Sequence, residues 1–160
     1  MDEGKVMGMN KADESKVEEA EYKLEAVQRL MDRIQHKEEL KEQLKSSLMG
    51  GAIRYDKDPV QGGIASDKLS DIMSEVVDME RDIAAMISRM QKIRARELKK
   101  IDKLSDQNER IVLKQMYLDL EDIWTIKEHL GFHVHSVYRI RKRGLLNYHK
   151  MWLDKRQSKT

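Results

Sequence analysis

Arg139, Arg141, Lys142 and Arg143 crowd one short stretch near the C-terminus. Clustered guanidinium and ammonium groups suit a polyanion: each can neutralise a phosphate, and an arginine fork can also bind a guanine edge through two hydrogen bonds. Val137 and Ile140, three apart, mark the apolar side of a helix carrying this cluster. Val134, His135, Tyr138 and Arg139 project away from that side over the first two turns. They are the expected base contacts, with Arg139 on guanine, His135 donating to a base or phosphate, and Val134 against a thymine methyl. His133, Ser136, Arg141, Lys142, Arg143 and Lys150 are expected at phosphates, which fix position without reading sequence. For each residue the plain alternative is a solvated helix surface.

Other chemistries find less support. His129, His133 and His135 have spacings that invite a metal, but Gly131 interrupts them and the chain has no cysteine; neither a metal nor a cofactor is expected. Carboxylates are plentiful but follow helical charge patterns. With no phosphate-cradling glycine loop and no nucleophile–base pairing, an enzyme is not expected. Trp124 and Glu121, with Asp119 and Asp122, form a surface that could anchor a protein partner, or that packs against the long helices or the tail.

The elements that must position the cluster lie in residues 120–144. Ile123, Ile126 and Leu130 share one face of a first short helix, which Asp122 can cap. Gly131 ends it, because glycine adopts a left-handed cap at no steric cost. Phe132 pins the turn, and His133 stands at the start of the second helix. This is the spacing of a helix-turn-helix, whose second helix enters the major groove of DNA.

The stretch resembles the helix-turn-helix of sigma factor region four. With what precedes it, the chain resembles more closely the phage transcriptional regulators of the ArpU/RinA type. The resemblance covers residues 53–146 and rests on YDKDPVQGGIASDK (55–68), VVDME (76–80), RIVLKQMYLDLEDIWTI (110–126) and LGFHVHSVYRIRKRGL (130–145). It implies an activator of phage late genes that binds double-stranded promoter DNA and acts with host RNA polymerase in the bacterial cytoplasm. Three positions depart from the pattern. Lys127 replaces a small residue, so its stem must snorkel outwards or the helices must open. His133 replaces the usual Ser or Thr cap. Trp124 replaces an acidic first-turn residue.

Charged residues make up 38% of the 160 and aromatics 5%, which argues against a large compact core. The abundance of Glu, Lys, Leu, Met and Arg favours long helices. The net charge of +2 hides a gradient: residues 133–160 carry 8 Lys/Arg against 1 Asp/Glu, whereas residues 1–51 carry 9 against 12. No apolar run is long enough to span a bilayer and the N-terminus lacks a signal-peptide core, so no membrane association is expected.

The expected fold is all-α: a long antiparallel, coiled-coil-like helical hairpin followed by a small C-terminal helix-turn-helix domain. Residues 1–11 are expected to be disordered, 12–104 to form the hairpin with a linker at 50–65, and 105–160 to form the DNA-binding domain and basic tail. The first long helix runs from Ala12 to Leu48, with Val17, Ala20, Leu24, Val27, Met31 and Ile34 at 3-4 spacing. The repeat then meets Glu38 and Lys41 and resumes on a shifted face at Leu40, Leu44 and Leu48. The second runs from Ser66 or Asp67 to Lys103 along Leu69, Ile72, Val76, Met79, Ile83, Met86, Met90 and Ile93. Such seams imply a homo-oligomer. Ser105 is the expected cap of a third helix, Asp106–Tyr117. The helix carrying Arg139 either bends at Gly144 or continues through Leu145, Tyr148 and Trp152. Three other functions fit parts of the pattern: a small-terminase-like DNA-packaging subunit, a sigma-like factor, and a coiled-coil interaction protein that does not bind DNA.

Overall fold

The computed structural model describes residues 10–55 and 62–155, with side chains described except at 49–55 and 62–65. All regular structure among the described residues is helical. The helices are α1 (Lys11–Leu24), α2 (Ala26–Tyr55), α3 (Gly62–Ile101), α4 (Gln107–Leu113), α5 (Ile123–Leu130) and α6 (Val134–Tyr148). π-Helical segments at Lys114–Leu118 and His149–Leu153 extend α4 and α6. None of the described helices is long and apolar enough to cross a membrane.

The chain divides into two compact units. The first joins the chain up to Gln28 with the chain from Lys92 onward, and the second is Arg29–Gln91. This differs from the break expected at residue 104. The expected first helix is interrupted at Glu25, where ψ is 0°. Asn10 caps α1 by accepting from the Asp13 amide at 2.9 Å. Val17, Ala20, Leu24 and Val27 are buried, and α1 packs on α6 and the π-helical segment after it. The N-terminal part of the 3-4 seam is therefore covered by the C-terminal elements of its own chain.

Within the second unit, Leu30 and Ile34 of α2 and Val76 and Ile83 of α3 are buried. Lys37 pairs with Asp82 at 2.8 Å and Lys45 with Glu80 at 3.8 Å. The seam on α2 does not shift face, as the sequence had suggested. Leu30, Ile34, Lys37, Lys41, Leu44 and Leu48 keep 3-4 spacing, and the Lys41 side chain is only 13% exposed. Its stem fills an apolar position while the ammonium reaches Glu38 at 2.8 Å. The hydrogen bond to Glu38, reinforced by the charges of Glu38, Glu80 and Glu42, raises its pKa.

Helix α2 continues through Gly50 and Gly51 to Tyr55, and α3 begins at Gly62, so Ser66 and Asp67 lie inside α3 rather than capping it. The centre of the expected linker, with Pro59, lies outside the described residues, as do residues 1–9 and the end of the basic tail.

In the first unit, Asp106 rather than Ser105 caps α4: its Oδ1 accepts from the Glu109 amide at 3.0 Å. The Ser105 carbonyl instead accepts from Arg110 at 3.1 Å. After α4 and its π-helical extension the chain turns at Leu120, a non-glycine residue with φ 56°. The Glu121 amide closes this turn on the Gln115 carbonyl at 2.9 Å.

Candidate nucleic-acid interface

The turn between α5 and α6 follows from its sequence. Asp122 Oδ1 accepts from the Thr125 amide at 2.8 Å. That bond stabilises the carboxylate and lowers its pKa. Gly131 ends α5 with φ 69°. A Cβ there would meet nothing within 4 Å, so the dihedral and not the space calls for glycine. The Phe132 amide donates back to the Lys127 carbonyl at 3.1 Å. His133 occupies the cap position of α6 without a side-chain capping bond, consistent with the poor capping ability of histidine. Val112, Ile126, Val137 and Ile140 form a buried cluster, with Met116, Ile123, Leu130 and Phe132 packed against it. The half-buried Lys127 carries its ammonium to 5.7 Å from the centre of the Trp124 ring.

Helix α6 has two polar sides. On the outer side His135, Tyr138 and Arg139 are exposed, and Val134, Ser136 and Lys142 are half-buried. His133 before the helix and Lys150 beyond it are also exposed. On the inner side Arg141 donates to Glu21 at 2.6 Å and to the Tyr117 hydroxyl at 3.1 Å. Tyr117 itself donates to Glu21 at 2.7 Å, and burial, then this bond, raises its pKa far above the usual range. Arg143 donates through Nε to Glu109 at 2.7 Å and through Nη2 to Asp106 at 3.4 Å. Asn147 donates to both Glu109 oxygens at 3.0 Å. Arg141, expected at a phosphate, is thus held by side chains of its own chain, whereas Arg143 pairs with Glu109 while its side chain stays 55% exposed.

Gly144 does not bend the helix. A Cβ there would lie 3.2 Å from Leu113 Cδ1 and 3.3 Å from Glu109 Cβ, so glycine lets α6 approach α4 closely. Leu145 and Tyr148 are buried. The Tyr148 hydroxyl donates to the buried carboxylate of Glu97, which also holds Arg96 at 3.3 Å and Lys100 at 3.6 Å. Burial, then the Glu97 bond, raises the Tyr148 pKa. Beyond α6, His149 meets Glu19 at 2.8 Å and the Trp152 indole donates to the Lys100 carbonyl at 3.2 Å.

Trp124 is 62% exposed. Glu121 is half-buried, 3.7 Å from His129. Among the described residues no three His, Cys, Asp or Glu side chains come together as a metal-binding group. Glu19, Glu21, Glu97 and Glu109, which hold the inner side, had no distinguishing signal in sequence. Each lies in a helical charge pattern like its exposed neighbours.

The described residues are thus all-helical in their regular structure, with Arg141 turned inward on α6 and Arg139 exposed. Residues 50–148 match the model of DUF1492, a protein family of unknown function, and the chain belongs to that family. No curated protein and no solved structure matches it.

Proposed function

We propose that the chain is a sequence-specific DNA-binding transcription regulator of the ArpU/RinA type, an activator of phage late genes working with host RNA polymerase in the bacterial cytoplasm. In this reading α5 and α6 are a helix-turn-helix, and α2 and α3 are an antiparallel helical hairpin through which the protein self-associates. The observation that carries the reading is the outer side of α6: His135, Tyr138 and Arg139 are exposed on a helix whose opposite side is anchored by Val137 and Ile140. A helix held this way can enter a major groove without losing its packing. Val134, His135, Tyr138 and Arg139 contact bases, while His133, Ser136, Lys142, Arg143 and Lys150 contact phosphates. Exposed Trp124, with Glu121 beside it, is the surface offered to polymerase.

The test is a fluorescence-anisotropy titration of the full chain with double-stranded promoter DNA at increasing salt. With Arg141 held internally, the lysines and arginines at phosphates are Lys142, Arg143 and Lys150, and each neutralised phosphate releases roughly 0.9 of a counterion. A log–log slope of roughly −3 is expected. A slope near zero would sink the DNA reading.

A further inference from the structure

Val134, Tyr138 and Arg141 follow one another at spacings of four and three along α6, so they form one row of the helix. The first two are the base contacts proposed above. Arg141 continues their row one turn further on, and its guanidinium carbon lies 5.9 Å from the centre of the exposed Tyr138 ring. At that point a helix lying in a major groove leaves the groove floor and passes the DNA backbone. An arginine there is placed for a phosphate.

A carboxylate of the same chain holds it instead. Glu21 reaches in from α1, and its Oε1 accepts from Arg141 Nη1 at 2.6 Å and from the Tyr117 hydroxyl at 2.7 Å. The Glu21 side chain is 31% exposed and that of Arg141 16%, so the pair lies at the rim of the packed region. The arginine fork is also underused. Its bonds to Glu21 and to the Tyr117 hydroxyl both leave from Nη1, while Nε is buried with no acceptor among the described residues. A phosphate can take two donors of such a fork at once.

We propose, resting on the DNA reading above, that Glu21 withholds Arg141 from DNA. The α1 carboxylate takes the place of a backbone phosphate and keeps the affinity of α6 below what its own cations could give. Phosphates carry no sequence information, so this restraint acts on all DNA sequences alike.

Salt titrations of the full chain against a fluorescein-labelled duplex of mixed sequence compare wild type, Glu21→Gln, Glu18→Gln and the double variant Glu21→Gln/Arg141→Gln. Gln keeps the shape of Glu21 and removes its charge. Glu18 is an exposed carboxylate of the same helix and controls for charge alone. Thermal melts establish that each variant is folded. We expect a log–log slope of roughly −3 for wild type and Glu18→Gln, a slope steeper by about 0.9 for Glu21→Gln, and a return to the wild-type slope in the double variant. A wild-type slope near zero would remove the DNA reading and this restraint with it. A wild-type slope that Glu21→Gln leaves unchanged, or that Glu18→Gln steepens equally, would overturn the restraint and leave the DNA reading standing. A double variant that keeps the steeper slope would do the same. Should Glu21→Gln fail to fold, the wild type decides. The arginine side-chain NMR signal that Arg141→Lys removes should keep its position when the duplex is added, and a large shift would show that Glu21 gives Arg141 up.

Discussion

Arg139 and Arg141 stand two positions apart on α6 and meet different surroundings. Arg139 is exposed on the outer side. Arg141 is 16% exposed and held by Glu21 and Tyr117. Arg143 stands between the two: it is tied to Glu109, yet its side chain is 55% exposed. A basic cluster in sequence is therefore not a single electrostatic footprint. Part of it neutralises internal carboxylates and adds structure. What divides the two is the packing of α1 and α4 against α6, with carboxylates aimed at alternate turns.

Breaking the packing that sets this division should have the largest effect. Leu145 is fully buried beneath the helix, and Leu145→Ala should destabilise the protein by about 2–5 kcal/mol in chemical denaturation. Arg141→Ala comes next. It leaves Tyr117 and Glu21 without their cation and should cost about 1–3 kcal/mol of unfolding free energy. The salt slope of DNA binding should hardly change, because Arg141 is not counted among the phosphate contacts. If the slope fell by one while stability held, the two arginines would belong to the same side. Lys150→Ala should do the reverse, weakening all DNA sequences alike and reducing the slope by about one, with stability unchanged to within about 0.5 kcal/mol.

A smaller effect tests the frame that carries both sides. The Asp122 carboxylate is stabilised by the Thr125 amide, so its folded pKa lies below its unfolded value. Its contribution is fully present above the unfolded pKa, about 3.9, and is lost as pH falls through the lower folded value. Asp122→Ala should therefore be less stable than wild type at neutral pH, and the difference should close as thermal melts are taken into strong acid. A constant difference across that range would remove the charged form from the explanation.

Much of this frame was legible in the sequence because it is local. Asp122, Gly131 and the spacing of Ile126, Val137 and Ile140 specify a cap, a left-handed turn and a buried face within about twenty residues. On α3 Val76 and Ile83 were legible for the same reason, but on α2 Leu30 is buried where Met31 was expected, Met31 is exposed, and Lys41 looked like a break. Spacing alone does not show that a lysine stem can fill a seam while its ammonium reaches Glu38. The internal half of the basic cluster was not legible. Glu21 precedes Arg141 by 120 residues and Glu97 precedes Tyr148 by 51, and periodicity states which face is buried without stating against what. The docking of α1 was hidden likewise, since Val17, Ala20 and Leu24 suit a coiled-coil partner as well as a C-terminal helix. Leu120, at positive φ without being glycine, carried no signal.

If the outer side of α6 reads bases, Arg139 is its sharpest residue. Selection of bound sequences from randomised double-stranded DNA, run in parallel for wild type and Arg139→Ala, tests it most directly. A defined wild-type preference is expected, with Arg139→Ala losing about 1–3 kcal/mol on the preferred site and relaxing the choice at one base pair while the rest of the site is kept. An identical preference from both proteins, or none from either, would contradict it.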